Sequence, residues 1–278
     1  MKRSLAEVLN TTNEPEVIPE TLYSTIIEAM RKKLLGTQFV ALRIGPSGCK
    51  GSNVQIISST KDALKVYTVA EGTDVPMSKE GFTKRTLTPL KYGTRPVITK
   101  EMQEDSQWDQ AQRALVEAGY QMAKKLDSLI MSAIEAGNTV ASNTVSGGAA
   151  ITIDNITQGM YNLEVADYTP TDLICSAEVI KDIRNIDTFV EADKSGVTDP
   201  SKSLIGTIFG MQVWFTNQVT AKYAYIIDRD HAIALVEKRP LTIEGYKDEI
   251  KDLSGLVLTA RWVASYKEAG ACCVITTS

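Results

Sequence analysis

Between Gln107 and Ala136 the apolar residues Trp108, Ala111, Leu115, Ala118, Met122, Leu126, Leu129 and Ala133 advance by threes and fours. That spacing puts them on one stripe of an α-helix and on no single face of a strand. At 1.5 Å per residue the helix is about 45 Å long. Its opposite side is wet, with Gln112, Glu117, Gln121, Lys124, Lys125 and Ser128, and Asp109 stands four residues before Arg113 as a favourable ion pair. Ser106 and Asp109 read as a capping box at its start, and Gly137 with Asn138 as its stop. A coiled coil would need a longer seam. This stripe lasts only about four heptads and is rich in Ala. The chain must therefore fold around one long brace with a single covered side.

What flanks the brace is of two kinds. Residues 1–20 mix Asn, Thr, Glu and Pro, with Pro15 and Pro19 blocking a helix, and read as an extended arm. Leu22, Ile26, Met30 and Leu34 then recur at helical spacing up to Gly36, with Arg31, Lys32 and Lys33 in the last turn. Those three cations either complement the helix dipole or face DNA. From Gly45 to Lys100 the segments Asn53 to Ile57, Leu64 to Val69 and Phe82 to Tyr92 are β-like, and Gly45 to Gly51 reads as a turn at their base. Polar groups fall on both faces of Phe82 to Thr88, so this region reads as a long two-stranded arm. Isolated hairpins are marginal in water, and an arm of this length is expected to rest on another chain.

After the brace, the Ser, Thr, Asn and Gly of residues 139–150 mark a boundary between units. A second α/β unit is expected beyond it. Asp154 caps a helix with Ile156, Met160 and Leu163; Asp172 to Cys175 is a buried strand; Ser176 caps a helix with Val179, Ile180, Ile183 and Ile186. Asp187 to Ser203 is a long loop, followed by strands Met211 to Thr216, Tyr223 to Ile227, Ala232 to Glu237, Leu256 to Val263 and Cys272 to Ile275.

The chemistry the sequence lacks narrows the function. Lys plus Arg is 30 and Asp plus Glu 34, a net charge of −4, so wrapping nucleic acid by a basic excess is excluded. No apolar run is long enough to cross a bilayer, and residues 1–10 lack an apolar signal core. The chain reads as soluble, with no membrane partner. Cys49, Cys175, Cys272 and Cys273 have neither metal nor redox spacing and are expected as free, buried thiols. No phosphate-loop pattern occurs and no cofactor is implied. The one histidine, His231, lies in Asp228-Arg229-Asp230-His231 between two apolar strands, where a turn with Arg229 paired to a neighbouring carboxylate is the expectation. An enzyme built on Asp228, Asp230 and His231 is the remote alternative. Trp108, Trp214 and Trp262 sit in amphipathic or strand-like segments and are expected to pack.

The order of arm, β loop, long helix and α/β unit resembles the major capsid proteins of tailed double-stranded DNA viruses, which share the α+β Hong Kong 97-type fold. Val69-Ala70-Glu71-Gly72-Thr73-Asp74-Val75-Pro76 is similar to a stretch of that family's extended loop. Val97 to Ser106 resembles its passage into the spine helix, and Leu126-Asp127-Ser128-Leu129-Ile130 its helix end. Leu204 to Trp214 resembles an axial-domain strand, with Gln212 where proline is usual.

The resemblance implies an N-terminal arm and short helix over residues 1–40, and an extended β loop with flanking strands over 41–100. It implies a peripheral domain with the spine helix over 101–150, an axial domain over 151–262, and a C-terminal strand over 263–278 that returns to the peripheral domain. It implies a non-enzymatic subunit of an icosahedral virion capsid. That shell is assembled in the host cytoplasm from pentamers and hexamers of itself around non-specifically held double-stranded DNA, with portal, scaffolding and decoration proteins as further partners. The interface residues it implies are Glu71, Gly72, Thr73, Asp74, Val75, Pro76, Lys79, Lys84 and Arg85, with Arg31, Lys32 and Lys33 facing DNA. Some relatives carry a cleaved scaffolding region before the first helix; here only residues 1–20 precede it, behind Met1. Scaffolding is thus expected from a separate protein or not at all. Lys79 or Lys84 occupies the loop from which a few relatives cross-link, without a matched partner. An encapsulin, a nanocompartment around an enzyme cargo, is the alternative within the same fold.

Overall fold

The computed structural model describes residues 35–49, 51–59, 64–99, 101, 110–185, 204–248 and 253–277. The expected helix over Leu22 to Leu34, the three basic residues Arg31, Lys32 and Lys33, the Ser106 cap, Trp108 and the loop 187–203 lie outside them.

The brace, α1, covers Gln110–Ala141. Leu115, Ala118, Met122, Leu126, Ile130, Ala133 and Ile134 are its buried stripe. It does not stop at Gly137 and Asn138, and Leu126 to Ile130 lie in its middle rather than at an end. Tertiary contacts carry the helix through. A Cβ on residue 137 would stand 2.9 Å from Cβ of Tyr266, so glycine here admits a neighbouring strand. Buried Asn138 donates to Thr144 Oγ1 at 2.8 Å and accepts from the Val274 amide at 3.0 Å. Ser142, with φ of 56°, turns the chain out.

Two sheets flank this helix. The first orders β1 (Val40–Ile44), β11 (Ile233–Asp248), β12 (Leu253–Tyr266) and β4 (Leu90–Thr94), with β5 (Val97–Thr99) also paired to β12. Leu258, Ala260 and Trp262 on one face of β12 are buried, and β12 packs against α1. Trp262 also stacks on Tyr92, centroids 6.3 Å apart. The strands β11 and β12 are far longer than the expected 232–237 and 256–263. Beyond Val236 β11 has no neighbour on its β1 side among the described residues, so Pro240, at a register shift between Arg239 and Thr242, is tolerated there as an edge residue.

The second sheet orders β6 (Thr144–Ser146), β13 (Cys272–Thr276), β10 (Tyr223–Ile227), β7 (Asp172–Cys175), β9 (Met211–Phe215) and β8 (Leu204–Ile208). Residues 172–175 of β7 and 224–227 of β10 are all buried, as central strands covered on both faces must be. α2 (Ile153–Glu164) packs on β13 and α3 (Ala177–Arg184) on β7. The cap of α2 is Thr152, in a reciprocal box with Asn155, and Asp154 sits in the first turn. Ser176 occupies the cap position of α3 without a side-chain cap bond. These pairings cut the chain differently from the expected boundaries at 151 and 262. The strands over 233–266 join the sheet of β1 and β4, and the last strand is interior to the six-stranded sheet. Residues 139–150, where a boundary was expected, hold the end of α1 and the strand β6.

The four cysteines are free and buried; burial pushes the Cys272 thiol up to about 12. No described helix is long and apolar enough to cross a membrane.

One buried carboxylate ties the entry of the chain to the brace. Asp127 accepts the amides of Leu35, at 3.2 Å, and Gly36, at 2.9 Å, from a 3₁₀ turn over Gly36–Phe39. Burial pushes its carboxyl up to about 6, against the opposing pull of the two amides. The folded state thus holds this proton more tightly than the unfolded chain. The contribution favours folding at low pH and is lost as pH rises from about 4 through 6, by on the order of 3 kcal/mol. Asp127→Asn removes it. Unfolding free energies measured from pH 4 to 7 are expected to fall with rising pH in the parent relative to the variant; parallel curves would contradict this.

Candidate assembly interface

The strands β2 (Val54–Ser59) and β3 (Phe82–Leu87) pair antiparallel from Val54 with Leu87 to Ser59 with Phe82. Their stem is not free on both sides. Val54, Ile56 and Leu87 bury against Cys49, Ala234 and Val236 in a small second core on the face of the first sheet turned away from α1. Ile57 and Lys84, directly paired on the outer face, are exposed. The turn expected at the base is a 3₁₀ turn over Pro46–Gly48, closed by Cys49, whose amide donates to Pro46 at 3.2 Å.

Residues 64–81 beyond the stem carry no helix or strand, and Leu64 to Val69, read as a strand, is an unpaired extended segment. Among the described residues it has no ladder partner, and β propensity alone does not make it a strand. One turn gives it local order. The Thr73 amide donates to Ala70 at 3.2 Å and its hydroxyl to the same carbonyl at 2.5 Å, with Gly72 at φ of 84° in the third position, where a type II turn requires glycine. The apolar side chains here face water: Val66 is fully exposed, Met77 93% and Val75 74%, with Leu64, Tyr67 and Phe82 also exposed. An apolar run of this kind, rimmed by Glu71, Asp74, Lys79 and Glu80, has the composition of a contact surface.

Of the residues the sequence points to, Glu71, Gly72, Thr73, Asp74, Val75, Pro76 and Lys79 stand together on this extension, all exposed, and Lys84 is on the outer side of the stem. Arg85 is turned inward. Its guanidinium donates to Ser265 Oγ at 3.0 Å, to the Tyr266 carbonyl and to the Lys267 carbonyl at 3.2 Å, and lies 3.6 Å over the Tyr266 ring. It pins the stem to its own chain. Nothing local in Thr83-Lys84-Arg85-Thr86 shows which of the two cations turns in; only the strand pairing does.

The Asp228 to His231 cluster is a turn. Asp228 accepts the amides of Asp230 at 3.0 Å and Thr169 at 3.3 Å, and the His231 ring stands 3.0 Å from its Oδ2. Arg229 is paired not to a neighbouring carboxylate of the cluster but to that of fully buried Asp172 on β7, which the pairing of β10 with β7 brings beside it. Asp172 also accepts from Trp214 Nε1 at 2.7 Å and Thr171 Oγ1 at 2.8 Å. Trp214 meets Phe39 edge-on at 5.7 Å, which joins the second sheet to the turn before β1. Among the described residues no three metal-ligating side chains converge. His231→Gln, at a half-exposed site, is expected to cost at most about 1 kcal/mol and to leave particle yield in electron micrographs unchanged; loss of particles would give this turn a role beyond its own closure.

No curated protein matches the chain by sequence. Among solved structures it is similar to the capsid of the cyanophage P-SCSP1u, with TM-score 0.69, 11% identity, and 89% of each chain covered. It is similar to the mature capsid of bacteriophage PhiM1, with TM-score 0.66, 12% identity, and 88% of this chain and 87% of that one covered. A virus-like particle from Pyrococcus furiosus gives TM-score 0.61 at 12% identity over 92% and 98%. At such identities the likeness is one of fold, the α+β Hong Kong 97-type capsid fold. A sequence model of the phage capsid family matches residues 16–263, a span that takes in the extension, the brace and most of both sheets, and the chain therefore belongs to the phage capsid family.

Proposed function

We propose that this structural subunit of the virion capsid closes, as pentamers and hexamers, into an icosahedral shell in which each copy lays residues 64–81 over a neighbour. The observation that supports this is the exposed apolar run from Leu64 to Met77 on a stem anchored by its own small core. In a lone chain it would stay in water; against another copy it is buried. In this reading α1 with the first sheet forms the peripheral body, and the six-stranded sheet with α2 and α3 the axial body. Assembly takes place in the host cytoplasm, with scaffolding, portal and decoration proteins as the partners to be sought. The shell encloses double-stranded DNA, which a chain of net charge −4 holds without sequence readout; Arg31, Lys32 and Lys33 are proposed to face it. The role is one of area and exchange of arms, with no catalytic centre.

The likeness to the virus-like particle from Pyrococcus furiosus favours a second reading, an encapsulin-type shell around a protein cargo. Electron microscopy of the protein expressed alone and in infected cells separates the two. Large closed shells that protect DNA from nuclease are expected. Small uniform cages that retain protein would favour the second reading, and a dispersed monomer at all salt and protein concentrations, with or without phage lysate, would overturn both.

A further inference from the structure

Three cations stand side by side on the face of the first sheet turned away from α1. Arg239 on β11 is the direct partner of Arg261 on β12, and Arg261 of Lys91 on β4. Directly opposed residues of antiparallel strands share a face, and like charges so placed repel. The flanking Ala260 and Trp262 are buried beside α1, which puts Arg261 on the other side. Arg239 donates to Thr259 Oγ1 at 3.1 Å and Arg261 to the Pro89 carbonyl at 3.0 Å, while the Nε of each is buried without an acceptor. Among the described residues none of the three has a carboxylate partner. Arg239, Arg261 and Lys91, with no carboxylate among the described residues to offset them, form a strip of positive charge whose remaining N–H groups can take carboxylates in charge-assisted hydrogen bonds.

We propose that this ladder receives Glu71 and Asp74 of a second copy of the chain, a contact that rests on the shell reading above and adds to it the surface on which the extension lands. Charge complementarity selects the occupant. Glu71 lies within the turn closed by Thr73 and Asp74 just after it; both are exposed and have no cation partner among the described residues. Two carboxylates at and beside one turn complement a strip of like positive charge. The subunit's own extension leaves in the wrong direction. From Pro89, whose carbonyl touches Arg261, β3 runs back to Arg85 beside Ser265 and Lys267, so the stem departs toward the far end of β12. The contact is therefore between copies.

The test uses assembled particles of the full chain, made from mixed isotopically heavy and light subunits and treated with a zero-length carbodiimide. Peptides joining Lys91 of one label to Glu71 or Asp74 of the other are expected. In parallel, Arg239→Glu with Arg261→Glu is expected to yield at least tenfold fewer closed particles, and adding Glu71→Arg with Asp74→Arg is expected to restore them. Particles that give no such linked peptides overturn the proposal, as does a folded charge-reversed subunit that assembles at full yield or is not rescued. Shells formed at full yield that no longer retain DNA would assign the ladder to phosphate instead. Should the reversed subunit not fold, the cross-link alone decides. A parent chain that never forms particles sinks the shell reading itself, and the inference with it.

Discussion

Deleting residues 73–81 leaves a subunit that folds and melts near the parent temperature but yields about tenfold fewer closed shells or none, the effect expected when a central contact patch is removed. The segment contributes nothing to either core: all its residues but Ser78 and Gly81 are exposed, and Val75 and Met77 have no apolar neighbours to lose. The hydrogen bonds it gives up are the two from Thr73, amide and hydroxyl, to the Ala70 carbonyl just before it. The stem survives because residues 60–72 remain to join Ser59 to Phe82, ladder partners a few ångströms apart, and a connection of that length spans the gap with slack. Circular dichroism and thermal melting check the fold, and sedimentation with electron microscopy checks the shells. Particles at parental yield would remove the extension from the assembly contact.

Arg229→Met is expected to be the most damaging single substitution to the subunit itself. Asp172 is fully buried, and Arg229 holds it through both carboxylate oxygens, with the Nε bond at 3.0 Å. Arg229 also reaches Gln212 at 3.2 Å and lies over the Phe39 ring. Removing the arginine strands a carboxylate in the second sheet, with Trp214 and Thr171 as its remaining donors. Such a loss costs about 3 to 5 kcal/mol, or a drop in Tm of about 6 to 20 °C for a chain of this size. Asp172→Asn is expected to be milder, because the Arg229 side chain is 36% exposed and can turn to water whereas Asp172 cannot. Urea unfolding of both variants checks the order. An arginine variant within about 1 kcal/mol of the parent would mean that Trp214, Thr171 and water suffice to solvate the carboxylate.

Both substitutions act on contacts that differ in how far they can be read from sequence. The extension was legible in part: a β-like stretch without clean alternation pointed to an arm, but Leu64 to Val69, read as a strand, is none, and the exposure of its apolar side chains is seen only in the structure. The Asp172 pair was half legible. A turn with Arg229 in an ion pair follows from Asp228-Arg229-Asp230-His231, but the partner lies 57 residues away and only the pairing of β10 with β7 brings it in.

What the sequence by itself determined is whatever rests on spacing of a few residues. The apolar stripe of α1, the strands Asp172–Cys175 and Tyr223–Ile227, the α+β alternation of the second half and the burial of four thiols belong here, because amphipathic period and side-chain size act over one or two turns of chain. Tertiary structure alone decided the rest. It carried α1 past Gly137 and Asn138 because Tyr266 and Val274 pack and bond there. It lengthened β11 and β12 by pairing polar residues that have no strand signal alone, and left Leu64 to Val69 without a partner. It turned Arg85 inward to carbonyls some 180 residues distant and set Asp127 beneath amides 91 and 92 residues away. The physical reason is the same throughout: a strand, a buried charge or a helix end is completed by groups across the fold, and their position is a property of the topology rather than of the local chain.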